Sequence, residues 1–187
     1  MTAARSKPPD ESRRSPRATS IVTAARGILE EEGRDALTMR RLAGRTGLKA
    51  SSLYRHLPGK GAIETALIVE ALEDAASTFE AATAAGESDG LAAIGRAYRS
   101  FALARPHRYR LMTELPLPLT PEVAAANRRA SAPLAAALGG DEHRARAAWA
   151  FAHGMAHLEL AGRFPPGADL DAAWATGVAA FRDSARE

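Results

Sequence analysis

Seven basic side chains fall within residues 34–60: Arg34, Arg40, Arg41, Arg45, Lys49, Arg55 and Lys60. Asp35 alone opposes them, so the stretch carries a local charge of +6. Beside Lys49 stand three small or short residues, Ala50, Ser51 and Ser52. Guanidinium and ammonium groups hold phosphate oxygens, and short side chains let a helix end approach base edges. The chemistry on offer here is recognition of a polyanion, with no bond made or broken. A second group, His153 and His157, has the four-residue spacing of metal ligands. A zinc hydrolase needs HExxH with the glutamate as general base. Here the sequence is HGMAH, and Gly154 replaces the base. A non-catalytic metal site could still recruit Glu159 or His143, although histidines on apolar helices are more often hydrogen-bonded core residues. His107 and Tyr109, between Arg105 and Arg110, are open to two readings, a polar lining group or, the one preferred, a surface cluster at a helix start. There is no cysteine, no GxSxG elbow and no glycine-rich phosphate loop after a strand, so no catalytic residue, cofactor or metal is assigned.

The basic stretch is positioned by a helix, a tight turn and a second helix, spanning Leu37 to Ala62. Thr38 is placed to cap the first helix. Leu42 and Ala43 give that helix an apolar side at helical spacing. Gly47 stops it, because the position after a helix usually needs positive φ. Leu48 plugs the turn. The second helix is expected from about Ser51 to Leu57, with Leu53 and Leu57 on one face, and Pro58 and Gly59 close it. A helical hairpin in some other all-α protein would share the periodicity but not the full set of spacings.

That set closely resembles the DNA-binding domain of the TetR (tetracycline-repressor-like) regulators. Thr38, the pair Gly47 and Leu48, the pair Leu53 and Tyr54, His56 and Lys60 occupy the places of the family's motif. The resemblance implies that Thr38, Tyr54, His56 and Lys60 hold phosphates. It implies that Lys49, Ala50, Ser51, Ser52 and Arg55 face bases. Two positions depart: Leu57 stands where the family usually has phenylalanine, and Gly61 where it usually has an acid. Both are packing or capping positions.

The rest of the chain sets the context. Its 187 residues suit one compact domain or two small ones, and 46% are hydrophobic. Residues 1–70 carry 13 basic and 8 acidic side chains, residues 71–187 carry 12 and 14, so one part alone looks suited to a polyanion. No apolar run approaches the ~20 residues of a membrane span. No apolar segment at the N-terminus reads as a secretory signal. These features and the absence of cysteine lead us to expect a cytoplasmic protein with no membrane partner. Residues 1–16 read as a disordered basic tail with Arg5, Lys7, Arg13 and Arg14. Residues 17–62 are expected to form the helix-turn-helix domain, and residues 63–187 a helical ligand-binding and dimerisation domain. A first helix is expected from Ala18 to Glu32, its terminal Glu30, Glu31 and Glu32 solvated. Later helices are expected over 60–84, 91–104, 109–115, 121–138, 142–163 and 171–186, with a loop at 85–90. The fold class is all-α, about nine helices.

The helix over 142–163 is apolar nearly all round, which requires burial on several sides. Ala147, Ala150, Gly154, His157 and Ala161 form a small-residue face where another helix could come close. Trp149, His153, Gly154, Leu158, Gly162, Arg163 and Phe164 resemble the WHG C-terminal domain of a branch of TetR-like regulators. That resemblance implies a dimer interface through the last two helices, with Ala150, Gly154, His157, Ala161, Trp174, Val178 and Phe181 as its candidates. Tyr98, Phe101, Met112, Leu115, Trp149 and His153 are the candidates for a small-molecule pocket. The expectation is a homodimeric transcriptional regulator, a repressor released from a palindromic operator by a small, mostly apolar inducer. The alternatives are a helical carrier or enzyme without operator binding, which a DNA shift assay would separate, and a metal sensor, which metal analysis would separate.

Overall fold

The structure, a computed structural model, describes residues 15–85 and 89–183. The expected tail at 1–16 lies outside these apart from Ser15 and Pro16, as do residues 86–88 of the expected loop and the last turn of the final helix. The described residues form nine α-helices and one 3₁₀ turn, with no strand among them. They divide into two compact units, Met1–Ile63 and Glu64–Glu187.

In the first unit, α1 (Pro16–Glu32) starts earlier than the hydrophobic pattern suggests. Ser15 supplies the reason, since its Oγ accepts the Ala18 N–H at 3.2 Å and Pro16 fills the first helical position. Ile21, Val22, Ala25, Ile28 and Leu29 are buried along one stripe. Each large aliphatic side chain buried there contributes about 1.5–3 kcal/mol. Gly33, at φ 81°, turns the chain into the 3₁₀ turn Arg34–Ala36. α2 (Met39–Thr46) is capped by Thr38, whose Oγ1 accepts the Arg41 N–H at 3.2 Å. Gly47 is left-handed at φ 66°, and the Leu48 N–H then closes onto the Ala43 carbonyl at 3.1 Å. α3 (Ala50–His56) buries Leu53. Leu37, Leu42 and Leu57 are buried in the same unit, where α1 packs on α2 and α3. Leu57 is thus a core residue here despite its departure from phenylalanine.

Glu30, Glu31 and Glu32 are exposed, as expected, and two of them are also paired. Arg45 binds Glu31 through Nη1 at 2.7 Å and Nη2 at 2.5 Å. Arg41 Nε binds Glu32 at 3.0 Å, and its Nη2 contacts the same carboxylate. Two of the seven cations thus bolt α2 to the end of α1 and offset the charge that the sequence count assigned to the basic stretch.

α4 (Lys60–Ala84) is 25 residues long, and the boundary between the units falls inside it. In the second unit, α5 (Gly90–Ala104) is capped by Asp89, which accepts the Ala92 N–H at 3.0 Å. α6 (Pro106–Thr113) begins at Pro106, three residues before the expected start at 109, because proline fits the first turn where no N–H bond is needed. α7 (Pro121–Ala137) is capped by Thr120 and carries Pro133 in its interior. α8 (Glu142–Leu160) and α9 (Leu170–Asp183) complete the unit. α5 is its centre, packed against α6, α7, α8 and α9. Phe79, Tyr98, Phe101, Tyr109, Ala156 and Trp174 form an aromatic core.

Close approach occurs at glycines other than Gly154. A Cβ on Gly95 of α5 would meet Val178 Cγ2 at 3.1 Å, and one on Gly177 of α9 would overlap the Phe151 ring. Arg99 staples three helices together. It donates to Glu159 of α8 through Nε at 2.9 Å and Nη2 at 2.7 Å, and to Asp171 of α9 at 2.5 Å. Trp174 Nε1 donates to the same Glu159 at 3.2 Å. No described helix is long and apolar enough to cross a membrane.

Candidate nucleic-acid interface and regulatory core

α3 spends one side chain, Leu53, on the core and leaves the rest outside. Lys49, Ala50, Ser51, Tyr54, Arg55 and His56 are exposed, and Ser52 is half-buried. Tyr54 is 52% exposed, a large aromatic body that nothing in the first unit covers. Arg55 Nη2 donates to Ser52 Oγ at 3.0 Å, which draws the guanidinium back along the helix toward its start. The structure therefore gathers the expected base-facing residues on one helix. Of the expected phosphate contacts, Tyr54 and His56 lie on that helix and exposed Thr38 caps the neighbouring one. Lys60 starts α4, and its Nζ reaches the Arg34 carbonyl at 3.5 Å. The Glu31 carboxyl lies below its usual range because Arg45 hydrogen-bonds to it, and Arg45 is raised by the same bond. That pair stays ionised across the working pH range.

The expected pocket residues meet mostly as core. Phe101 is 2% exposed and Tyr98 7%; Tyr98 stacks on Phe79 and Phe101 meets that ring edge-on. Met112 packs on their edge, and Leu115 lies beyond the end of α6. Tyr109, read from sequence as a surface residue, is 1% exposed. Its hydroxyl meets Tyr98 Oη at 3.2 Å and His153 Nδ1 at 2.8 Å. The signal for Tyr109 was present: it falls three residues after Pro106, on the inward side of a helix the proline starts. Burial pushes the Tyr98 phenol well above the usual tyrosine range and raises that of Tyr109. Burial, then repulsion from His157, pushes His153 down, so its imidazole is neutral at pH 7. His153 and His157 have ring centroids 6.1 Å apart, and no group of three or more candidate ligands among the described residues is arranged for a metal ion.

A cavity of about 30 Å³ remains beside Tyr98 and Trp149, under Leu134 and Phe151. A roomier groove, about 360 Å³, runs between α5 and α9 past Arg96, Arg99 and Arg182. There Arg99 is committed to Glu159 and Asp171, and Arg182 to Asp89 at 2.5 Å.

The expected interface residues separate into two groups. Trp174 and Val178 are buried in the chain's own core, and Phe181 packs against it. Helical spacing placed them correctly on one face of α9, but that face is satisfied within the subunit by α5 and α8. The α8 members face outward. Ala150, His157 and Ala161 are exposed, and a Cβ on Gly154 would meet nothing within 4 Å. Trp149, 49% exposed, and Leu158, 41% exposed, lie on the same helix to either side of this face.

Residues 21–67 match the family described as bacterial regulatory proteins, tetR family, and residues 91–181 match the tetracyclin repressor-like C-terminal domain. The uncharacterized HTH-type transcriptional regulator Rv0681 of Mycobacterium tuberculosis is 35% identical over 152 residues, covering 76% of this chain and 70% of its own. Among solved structures, a protein of unknown function from Rhodococcus sp. RHA1 has a TM-score of 0.77 at 23% identity, over 94% of this chain and 98% of that one. A TetR variant from Acinetobacter baumannii AYE in complex with minocycline has a TM-score of 0.62 at 21% identity, over 89% of this chain and 93% of that one. At these identities the two structures speak for the fold.

Proposed function

The chain belongs to the TetR family of DNA-binding transcriptional regulators, and from that premise we propose how its own residues divide the work. α3 enters the major groove. Lys49, Ala50, Ser51, Ser52 and Arg55 face the bases, while Thr38, Tyr54, His56 and Lys60 hold the flanking phosphates. The observation that carries this reading is α3 itself, a helix that buries one residue and exposes a cation-flanked row of short side chains. Two copies pair through the outward face of α8, centred on Ala150, Gly154, His157 and Ala161. A two-fold dimer calls for a near-palindromic operator with half-sites about 34–36 Å apart. The protein acts in the cytoplasm as a repressor.

Release follows a small, mostly apolar ligand taken up by the second unit. The minocycline held by the Acinetobacter relative is in keeping with such a site. The Tyr98, Tyr109 and His153 chain supplies its polar end, with Trp149 beside it. α4 carries the effect. Arg108 of α6 binds Asp74 at 2.5 Å, and Arg129 of α7 binds Glu80 at 2.6 Å and also Glu73. A ligand that shifts α6 or α7 therefore pulls on α4, which runs on to Lys60 without a break. Ligand and operator must then weaken each other by one shared factor, ~5–150-fold in typical cases.

The test is a mobility-shift titration on the gene's own upstream region at several salt concentrations. Saturable, salt-sensitive binding that a scrambled duplex does not match supports the reading. Equal affinity for both duplexes would remove it.

A further inference from the structure

Trp149 is unusual for its size. Its indole is 49% exposed, whereas Trp174 is 5% exposed. A large aromatic left half in water needs partners to hold it in place. One face of the indole stacks on His153, centroids 5.8 Å apart and planes 25° apart. Its side chain also borders, with Tyr98, the small cavity below. Behind these contacts, His153 Nδ1 meets the Tyr109 hydroxyl at 2.8 Å, and that hydroxyl meets Tyr98 Oη at 3.2 Å. A run of three polar groups, set among aromatics, thus ends against the flat side of one half-exposed indole.

The space beneath is apolar and nearly full. Its volume of about 30 Å³ is the size of a single water. Its wall on α7 is Leu134, next after Pro133. A proline inside a helix has no N–H for the carbonyl one turn back and crowds it. Only Val123 and Ala126 of α7 are buried, so this wall is weakly anchored.

We propose that the Trp149 side chain fills the ligand site of the second unit, and that the ligand is a flat aromatic molecule carrying one hydrogen-bonding group. Such a molecule displaces the indole, takes over its stack on His153 and bonds to Tyr98. The inference rests on the second unit being the effector-binding one and narrows that reading to a ligand class. An aliphatic molecule of equal size would fill the volume but offer no ring face to the imidazole.

Calorimetric titration of full-length Trp149→Ala with indole tests the inference. Removing the side chain adds its volume to the cavity and leaves the polar chain open at one end. Indole is expected to bind one per subunit, about tenfold or more tighter than it binds the unaltered protein, and about tenfold tighter than cyclohexylmethanol. Equal binding to the two proteins, or equal binding of the two probes, would overturn the inference. A second measurement needs no variant. Saturating phenol should displace the indole of the unaltered protein into water and raise its quenching by acrylamide, and unchanged quenching also overturns the inference. Operator affinity is read separately. Indole that binds Trp149→Ala without changing operator affinity upholds the site and removes the effector reading, so the two fail independently.

Discussion

Glu31 and Glu32 hold two arginines that, on the proposed docking of α3, are expected to reach phosphates once freed. Arg45 and Arg41, which they hold, lie on α2, and the first helix of a helix-turn-helix crosses the sugar-phosphate backbone. Replacing both acids, Glu31→Gln with Glu32→Gln, keeps their shape and removes two charges. Each arginine that then meets a phosphate releases about 0.9 counterion. The slope of log affinity against log salt should therefore steepen by about 1.8 per subunit, or about 3.6 for a dimer. Over a fourfold rise in salt, that is roughly a hundredfold greater loss of binding. The gain at low salt should be largest on random-sequence duplex, whose binding is almost wholly electrostatic, so discrimination for the operator should fall. Fluorescence anisotropy on operator and random duplexes from low to moderate salt reads both effects. Thermal unfolding should stay close to that of the unaltered protein, because exposed ion pairs add little stability. An unchanged slope would refute the reasoning and leave the two pairs as braces between α1 and α2.

Gly177→Ala places a methyl group in the Phe151 ring and should cost on the order of 1–3 kcal/mol in urea unfolding; a neutral result would mean α9 can shift freely. Gly154→Leu should leave the stability of the single subunit intact, since nothing lies within 4 Å of its Cβ position, yet convert dimer to monomer in sedimentation. His153 has its pKa lowered by folding. The unfolded chain therefore binds the proton more readily, and the contribution of the neutral imidazole, present above pH ~6.5, is lost as pH falls through the lower folded value. His153→Gln should flatten that part of the stability profile in calorimetry, and an unchanged profile would assign the acid sensitivity to another group. Lys60→Ala should weaken operator and random duplex alike and reduce the salt slope by about 0.9 per subunit; a loss confined to the operator would make Lys60 a base contact.

The first unit was legible because its signals are local. Thr38 and Gly47 act within a few residues of themselves. The pairing of Glu31 with Arg45 was not legible, since fourteen residues and a helix crossing separate them. In the second unit, helical spacing placed Trp174, Val178 and Phe181 on one face but could not say which neighbour that face meets. Whether a small residue marks a close approach depends on what arrives opposite it. Gly95 and Gly177 receive Val178 and Phe151, and Gly154 receives nothing from its own chain. Tyr109 was misread because the basic residues on either side of it, Arg105 and Arg110, suggested a surface. Arg108 is itself 6% exposed and paired with Asp74.

The Arg99 staple joins groups 60 and 72 residues apart, and α5 waits for α9 before its groove closes. The contacts of the first unit span far shorter stretches. On a ribosome the chain emerges from its N-terminus and units fold as they become available. The unit that carries α3 is thus complete while α5 still has no Glu159 or Trp174 to pack against. During that interval the nascent chain holds a finished DNA-reading surface and an unfinished regulatory core, with Tyr98 and Phe101 uncovered. Release of α9 from the ribosome is the step that closes this interval. Slow translation through α9 is therefore expected to prolong a state in which the first unit is complete and the second is not.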